Sequence, residues 1–107
     1  MLVMHDIIKE LTKVYDKYDN VKIGIAWSYA NNTATEDSDL DIVLDGDSMR
    51  MDIALHIKKL FVITVDVLWV DLMKEEDEEL DALALKHELP INQSSVYKTV
   101  MNEVIWV

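Results

Sequence analysis

Cysteine is absent from the chain, which excludes a disulfide framework and a thiolate metal site and makes the reducing cytosol the expected compartment. Proline occurs once and glycine twice, and no linker, repeat or low-complexity tract divides the sequence. Basic side chains are scarce, 10 against 21 acidic ones, for a formal net charge of -11. Such a balance repels nucleic-acid backbones and makes a basic protein the better-fitting partner. Long apolar runs are also missing. No segment approaches the roughly 20 apolar residues that span a bilayer, and the opening MLVMHDIIKE lacks the basic start of a secretory leader. The expectation is a soluble, cytoplasmic protein with no direct nucleic-acid or membrane partner.

With 50% of its residues hydrophobic and 29% charged, the chain has the composition of a folded protein. Its 107 residues suffice for one hydrophobic core and are too few for a second, so a single domain over 1–107 is expected. In order, His5 to Tyr18 places Ile7, Ile8, Leu11, Val14, Tyr15 and Tyr18 at helical spacing. Asp19-Asn20 supplies turn chemistry, and Val21 to Trp27 reads as a strand buried on both faces, with Gly24 marking a bend or a close backbone approach. Ser28 to Ser38 is small and polar, a loop or short helix, and Leu40 to Leu44 is a second strand. Asp45-Gly46-Asp47-Ser48 ends it, with Asp47 or Ser48 available to cap a helix over Met49 to Phe61.

Val62 to Val70 is dense in β-branched residues and reads as a third strand, interrupted by Asp66. Glu75 to His87 runs from acidic to basic, as a helix dipole favours, and Pro90 follows it. Ser95 to Glu103 is expected to be helical and Val104 to Val107 a last short strand. This order predicts an α/β (α+β) fold, a small mixed sheet flanked by helices, in which the second and third strands lie side by side across a connecting helix.

Asp39 and Asp41 are separated by one apolar residue, so on a strand both carboxylates project from one face. Two like charges held that close call for a cation. Magnesium takes one or two carboxylates and completes its shell with water and substrate phosphate. Asp66, from the neighbouring strand, stands within reach of the pair if the register allows it. Three such carboxylates would make a two-metal site for in-line phosphoryl chemistry, the third helping to deprotonate an attacking hydroxyl. Asp37/Asp39 and Asp45/Asp47 share the spacing, but only the Asp39/Asp41 pair belongs to an apolar strand.

Ser28 precedes Asp39 by ten intervening residues, and here WSYANNTATEDSDLDIVLD resembles the minimal nucleotidyltransferases of the DNA polymerase beta superfamily. A typical form of that motif is GSYARGEATEDSDIDLLVD; Ser28, Tyr29, Ala30, Thr35, Asp37, Ser38, Asp39 and Asp41 match it, and the resemblance extends through Asp66 to the end of the chain. It implies a nucleotidyltransferase (polymerase beta-like) fold that binds ATP and magnesium. Asp39, Asp41 and Asp66 take the metal and catalytic roles, and Ser28 and Tyr29 hold the nucleotide. Many small members are antitoxins paired with a HEPN-type ribonuclease toxin, some transferring AMP to a toxin tyrosine, so homo- or hetero-oligomers are expected.

Three positions depart from that motif. Trp27 replaces the first glycine, Asn31 the basic residue and Asn32 the second glycine. Asparagine tolerates a left-handed backbone, whereas an indole in place of glycine must fill the phosphate space or turn into the core. The alternative expectation is therefore a catalytically degenerate domain that neutralises its partner by binding alone. A small antibiotic nucleotidyltransferase is a further reading, disfavoured because little chain is left to build an acceptor pocket. His5, His56 and His87 lack metal-ligand spacing, and Trp27, Trp69 and the methionines read as core. Glu75 to Glu79 reads as a solvated helix start, and Trp106 as core or interface.

Overall fold

The computed structural model describes residues 2–18, 20–46 and 50–107. Expectations resting on Asp19, Asp47, Ser48 and Met49 lie outside the described residues. The elements are α1 (Met4–Lys17), β1 (Val21–Ala26), α2 (Trp27–Ala30), β2 (Leu40–Gly46), α3 (Met51–Leu60), β3 (Val65–Trp69), α4 (Val70–Lys86), α5 (Val96–Glu103) and β4 (Ile105–Trp106). They form one mixed sheet of order β3-β2-β1-β4, with β1 antiparallel to both β2 and β4 and β2 parallel to β3. The parallel pair is joined through α3, the long crossover that parallel strands require.

Strand periodicity decides what each sheet face meets. Ile23 and Ile25 of β1, Leu40, Ile42 and Leu44 of β2 and Val65 of β3 point into the larger core, where Ile7, Leu11 and Val14 of α1 and Ile53 and Ile57 of α3 cover them. Ala26 and Val43 face the other way, into a second cluster with Val70 and Met73 of α4 and Val100 of α5. α5 is tied to α4 by Lys98, whose Nζ donates to Asp81 at 3.1 Å and to the Asn92 carbonyl at 2.7 Å. The same ammonium stands 3.6 Å from Oδ1 of buried Asp77, outside hydrogen-bond reach.

Two boundaries differ from the sequence expectation by more than two residues. The third strand begins at Val65 rather than Val62, and Val62 is 96% exposed. After α3 ends at Leu60 the chain must turn to re-enter the sheet parallel to β2, so the β-branched residues Val62 to Thr64 serve as connection despite their propensity. α4 starts at Val70, five residues before the expected Glu75, directly after β3. Val70, Met73 and Asp77 are its buried residues, at helical spacing. β3 is also an edge strand, so Asp66 is exposed rather than interior.

Gly24 marks a close approach. A Cβ there would meet Val104 Cγ2 at 2.5 Å and Trp106 Cε3 at 2.9 Å, because Trp106 of β4 pairs directly with Gly24 of β1. His56 packs edge-on against the Tyr18 ring, with the Tyr18 hydroxyl 3.1 Å from His56 Nδ1.

Candidate functional site

Three carboxylates gather where β2 and β3 begin. Leu40, Ile42 and Leu44 are buried in the larger core, so the alternate residues Asp41 and Val43 stand on the opposite face. On β3, Val65 and Val67 pack into the same core, which leaves Asp66 and Leu68 beside Asp41 and Val43. The parallel register pairs Asp41 with Asp66 and Val43 with Leu68. It is pinned at its start by the Leu40 N–H, which donates to the Thr64 carbonyl at 2.9 Å.

Asp39 sits one residue ahead of β2 and is exposed. A tight turn delivers it there. The Ser38 N–H donates to the Thr35 carbonyl at 3.1 Å, and the Thr35 N–H donates to the Ser38 hydroxyl at 2.8 Å. Thr35 and Ser38 belong to the matched motif, and their T-x-x-S spacing, that of a reciprocal cap, is the local signal for this turn.

The electrostatics are one-sided. Burial raises the Asp41 carboxyl from its ordinary 3.8 to about 6, with the charges of Asp66 and then Asp39 acting in the same direction. Among the described residues no lysine or arginine pairs with any of the three. An uncompensated pair of oxygen donors beside open solvent fits magnesium, which needs only one or two protein carboxylates when substrate phosphates complete its shell. Among the described residues no group of three or more His, Cys, Asp or Glu side chains is arranged to hold a metal by itself. Asp66 thus comes alongside the Asp39/Asp41 pair without closing a cage around one point.

The segment bearing Ser28 follows directly from this geometry, because Ala26 at the end of β1 pairs with Asp41 across the antiparallel ladder. Trp27 comes next with φ 52°, a left-handed backbone. Glycine adopts it freely, whereas a bulky side chain does so at a cost of about 1 kcal/mol or more. The indole is half-buried against the second cluster, with Val43, Val70, Met73 and Val100. The chain thus keeps a glycine-like bend at Trp27 while the side chain packs against α4 and α5.

After Trp27 the Ser28 carbonyl accepts from the N–H groups of Thr33, at 2.8 Å, and Ala34, at 3.1 Å, and Asn32 takes the second left-handed conformation with φ 62°. Asn31, where the motif has a basic residue, accepts a hydrogen bond from the Thr33 hydroxyl. Ser28 is half-buried, two residues beyond the Ala26 that pairs with Asp41, and the Tyr29 ring is 6% exposed and belongs to the larger core. Its contribution there is packing.

Cavity size does not mark the site. A depression of about 810 Å³ lies between the end of α1 and the Val21–Lys22/Asp45–Gly46 end of the β1–β2 pair, and none of the three carboxylates is among its described lining residues. A smaller cleft of about 290 Å³ is lined by Ser28, Tyr29, Asn32 and Ala34 together with Leu2, Val3 and Met4. Asp39 and Asp66 are exposed and Asp41 is half-buried. Among the described residues no helix is long and apolar enough to cross a membrane.

One family model, described as nucleotidyltransferase domain, matches residues 6–107. No curated protein matches the chain.

Proposed function

The chain belongs to the nucleotidyltransferase domain family, and we propose that it transfers AMP from magnesium-ATP to a hydroxyl, a tyrosine, of a partner HEPN-type ribonuclease toxin, acting as its antitoxin. The observation that carries this reading is the pairing of Asp41 with Asp66 across β2 and β3, with Asp39 adding to the charge that bears on Asp41. Magnesium held by Asp39 and Asp41 would supply charge neutralisation for the triphosphate. Ser28 and the backbone of the Trp27–Ala30 bend position the phosphates, and Asp66 accepts the proton of the acceptor hydroxyl. The hydroxyl oxygen attacks the α-phosphorus in line, the bond to the bridging oxygen of the β-phosphate breaks, and pyrophosphate leaves. A protein acceptor suits the exposed Asp39 and Asp66, and the net charge of -11 suits a basic partner.

Trp27 favours a second reading, a degenerate domain that neutralises the partner by covering it. Its indole stands where the motif glycine would leave the backbone bare, and Asn31 offers the phosphates no positive charge. Magnesium-ATP titrated into the protein by calorimetry, wild type beside Asp39→Asn/Asp41→Asn, separates the two. Saturable binding lost in the variant, followed by label transfer from α-phosphate-labelled ATP to co-purified toxin, supports the enzyme. Neutralisation that survives in the double variant, without nucleotide binding by the wild type or by its complex, supports the covering domain.

A further inference from the structure

α4 is the longest helix among the described residues. Its 17 residues span about 25 Å, and its fully buried residues, Val70, Met73 and Asp77, all lie in its first half. Beyond Asp77 the helix carries large apolar side chains in solvent. Leu80 and Leu83 are each 53% exposed and, at i and i+3, are neighbours on the helix surface.

The way α4 ends extends this patch. The Leu89 N–H donates to the Ala84 carbonyl at 2.8 Å and the Glu88 N–H to the Leu85 carbonyl at 3.3 Å, with Glu88 at φ 56°. These two bonds around a left-handed residue form a Schellman motif, which folds the second residue past the cap back toward the last turn. Leu89, 61% exposed, is thereby returned to the side of Ala84 and Leu83. The position that favours glycine holds a glutamate instead, so the chain tolerates local strain to hold this shape.

The rim of the patch is mostly acidic: Glu76 and Glu79 flank Leu80 and Leu83, Asp77 and Asp81 already face the Lys98 ammonium, and Lys86 lies one turn beyond Leu83. α4 carries Asp71, Glu75, Glu76, Asp77, Glu78, Glu79 and Asp81 against only Lys74 and Lys86. A second copy would set this acidic run against its like, in a chain already at -11. A partner with apolar residues flanked by lysine or arginine meets both demands, covering the leucines and neutralising the rim.

We propose that Leu80, Leu83 and Leu89, rimmed by the acidic run of α4, are a docking surface for an amphipathic, basic polypeptide segment of a different chain. The surface is separate from the carboxylates that bear on nucleotidyl transfer, so it stands or falls independently of that activity. The basic partner suggested by composition alone is given a location and a chemistry.

The probe is a synthetic amphipathic helical peptide of leucine and lysine, titrated into the 15N-labelled protein at moderate salt, with a leucine–glutamate peptide as control. Saturable binding of the lysine peptide alone, with shifts confined to residues 76–91, is expected. Leu80→Asp combined with Leu83→Asp should weaken it at least tenfold. Both positions are exposed, so the fold is retained, and the added negative charge would by itself strengthen attraction to lysine. Equal or tighter binding by the double variant would reduce the interaction to charge alone and overturn the proposal. So would a wild-type dimer in sedimentation that the double variant dissociates, since the occupant would then be a second copy. Asp39→Asn/Asp41→Asn should bind the peptide as the wild type does; a loss there would place the contact at the carboxylate face and overturn it as well.

Discussion

Asp41 on β2 and Asp66 on β3 are direct partners in the parallel ladder, on the sheet face opposite the larger core. Neither has a cationic partner among the described residues. A structural role would favour removing or pairing these charges, because like charges directly opposite one another destabilise a sheet. The arrangement is instead one that an external cation would relieve.

That relationship predicts a pH dependence. Asp41 is lifted from 3.8 to about 6 by burial and its acidic neighbours. Below the unfolded value it is protonated in both states and costs nothing. As pH rises toward the folded value the unfolded chain releases its proton first, so stability falls through this window and then stays level. Asp41→Asn should remove that fall. In metal-free buffer the variant should gain on the order of 1 kcal/mol over wild type between pH 4 and pH 7, allowing for solvent screening of a half-buried group. Denaturant midpoints at several pH values check this, and a parallel offset at every pH would show that the charge is not responsible. Millimolar magnesium should narrow the gap at pH 7.

Trp27→Gly separates backbone from side chain. Glycine removes the left-handed strain, worth about 1 kcal/mol, but also deletes an indole packed with Val43, Met73 and Val100, worth roughly 2–3 kcal/mol. The expected outcome is a net loss of about 1–2 kcal/mol in chemical denaturation, together with unchanged or tighter magnesium-ATP binding. A gain in stability would mean that the indole contributes little packing.

Gly24→Ala should loosen the β4 edge. The new methyl would stand 2.5 Å from Val104 and 2.9 Å from Trp106, an overlap that costs typically 1–3 kcal/mol. Hydrogen exchange should quicken at Val107, whose N–H donates to the Ile23 carbonyl at 2.8 Å. Unchanged protection there, with the stability intact, would show that the edge accommodates the methyl.

Glu88→Gly should have the opposite sign. At φ 56° in the Schellman position, glycine relieves strain and stabilises by up to about 1 kcal/mol, net of its greater freedom in the unfolded chain. Thermal or denaturant melts read this directly. Destabilisation would indicate that the glutamate side chain makes a compensating contact.

Much of the architecture was legible because it is written at short range. The spacing of Ile7, Leu11 and Val14, the alternation of Leu40, Ile42 and Leu44 around Asp41, and the β-branched density near Val65 each report a face or a strand within a few residues. Boundaries failed where a long-range need overrode propensity. Val62 to Thr64 look like strand but serve as the turn back to the sheet, and Val70 to Lys74 belong to α4 because Val70 and Met73 complete the second cluster. Asp39, Asp41 and Asp66 could be singled out from residue type and spacing, and Ser28 from the motif that the segment resembles. The burial of the Tyr29 ring could not, since it depends on what surrounds the bend.

The sequence by itself determined which face of each element is apolar, because periodicity acts locally, and it singled out the candidate site residues, Asp39, Asp41 and Asp66 by type and spacing and Ser28 by the motif it resembles. Only the tertiary structure decided that Asp66 stands opposite Asp41, that Trp27 bends like glycine while its indole joins α4 and α5, and that the end of α4 is left uncovered. Strand register and helix docking are set by contacts between residues far apart in the chain. No local pattern contains that information.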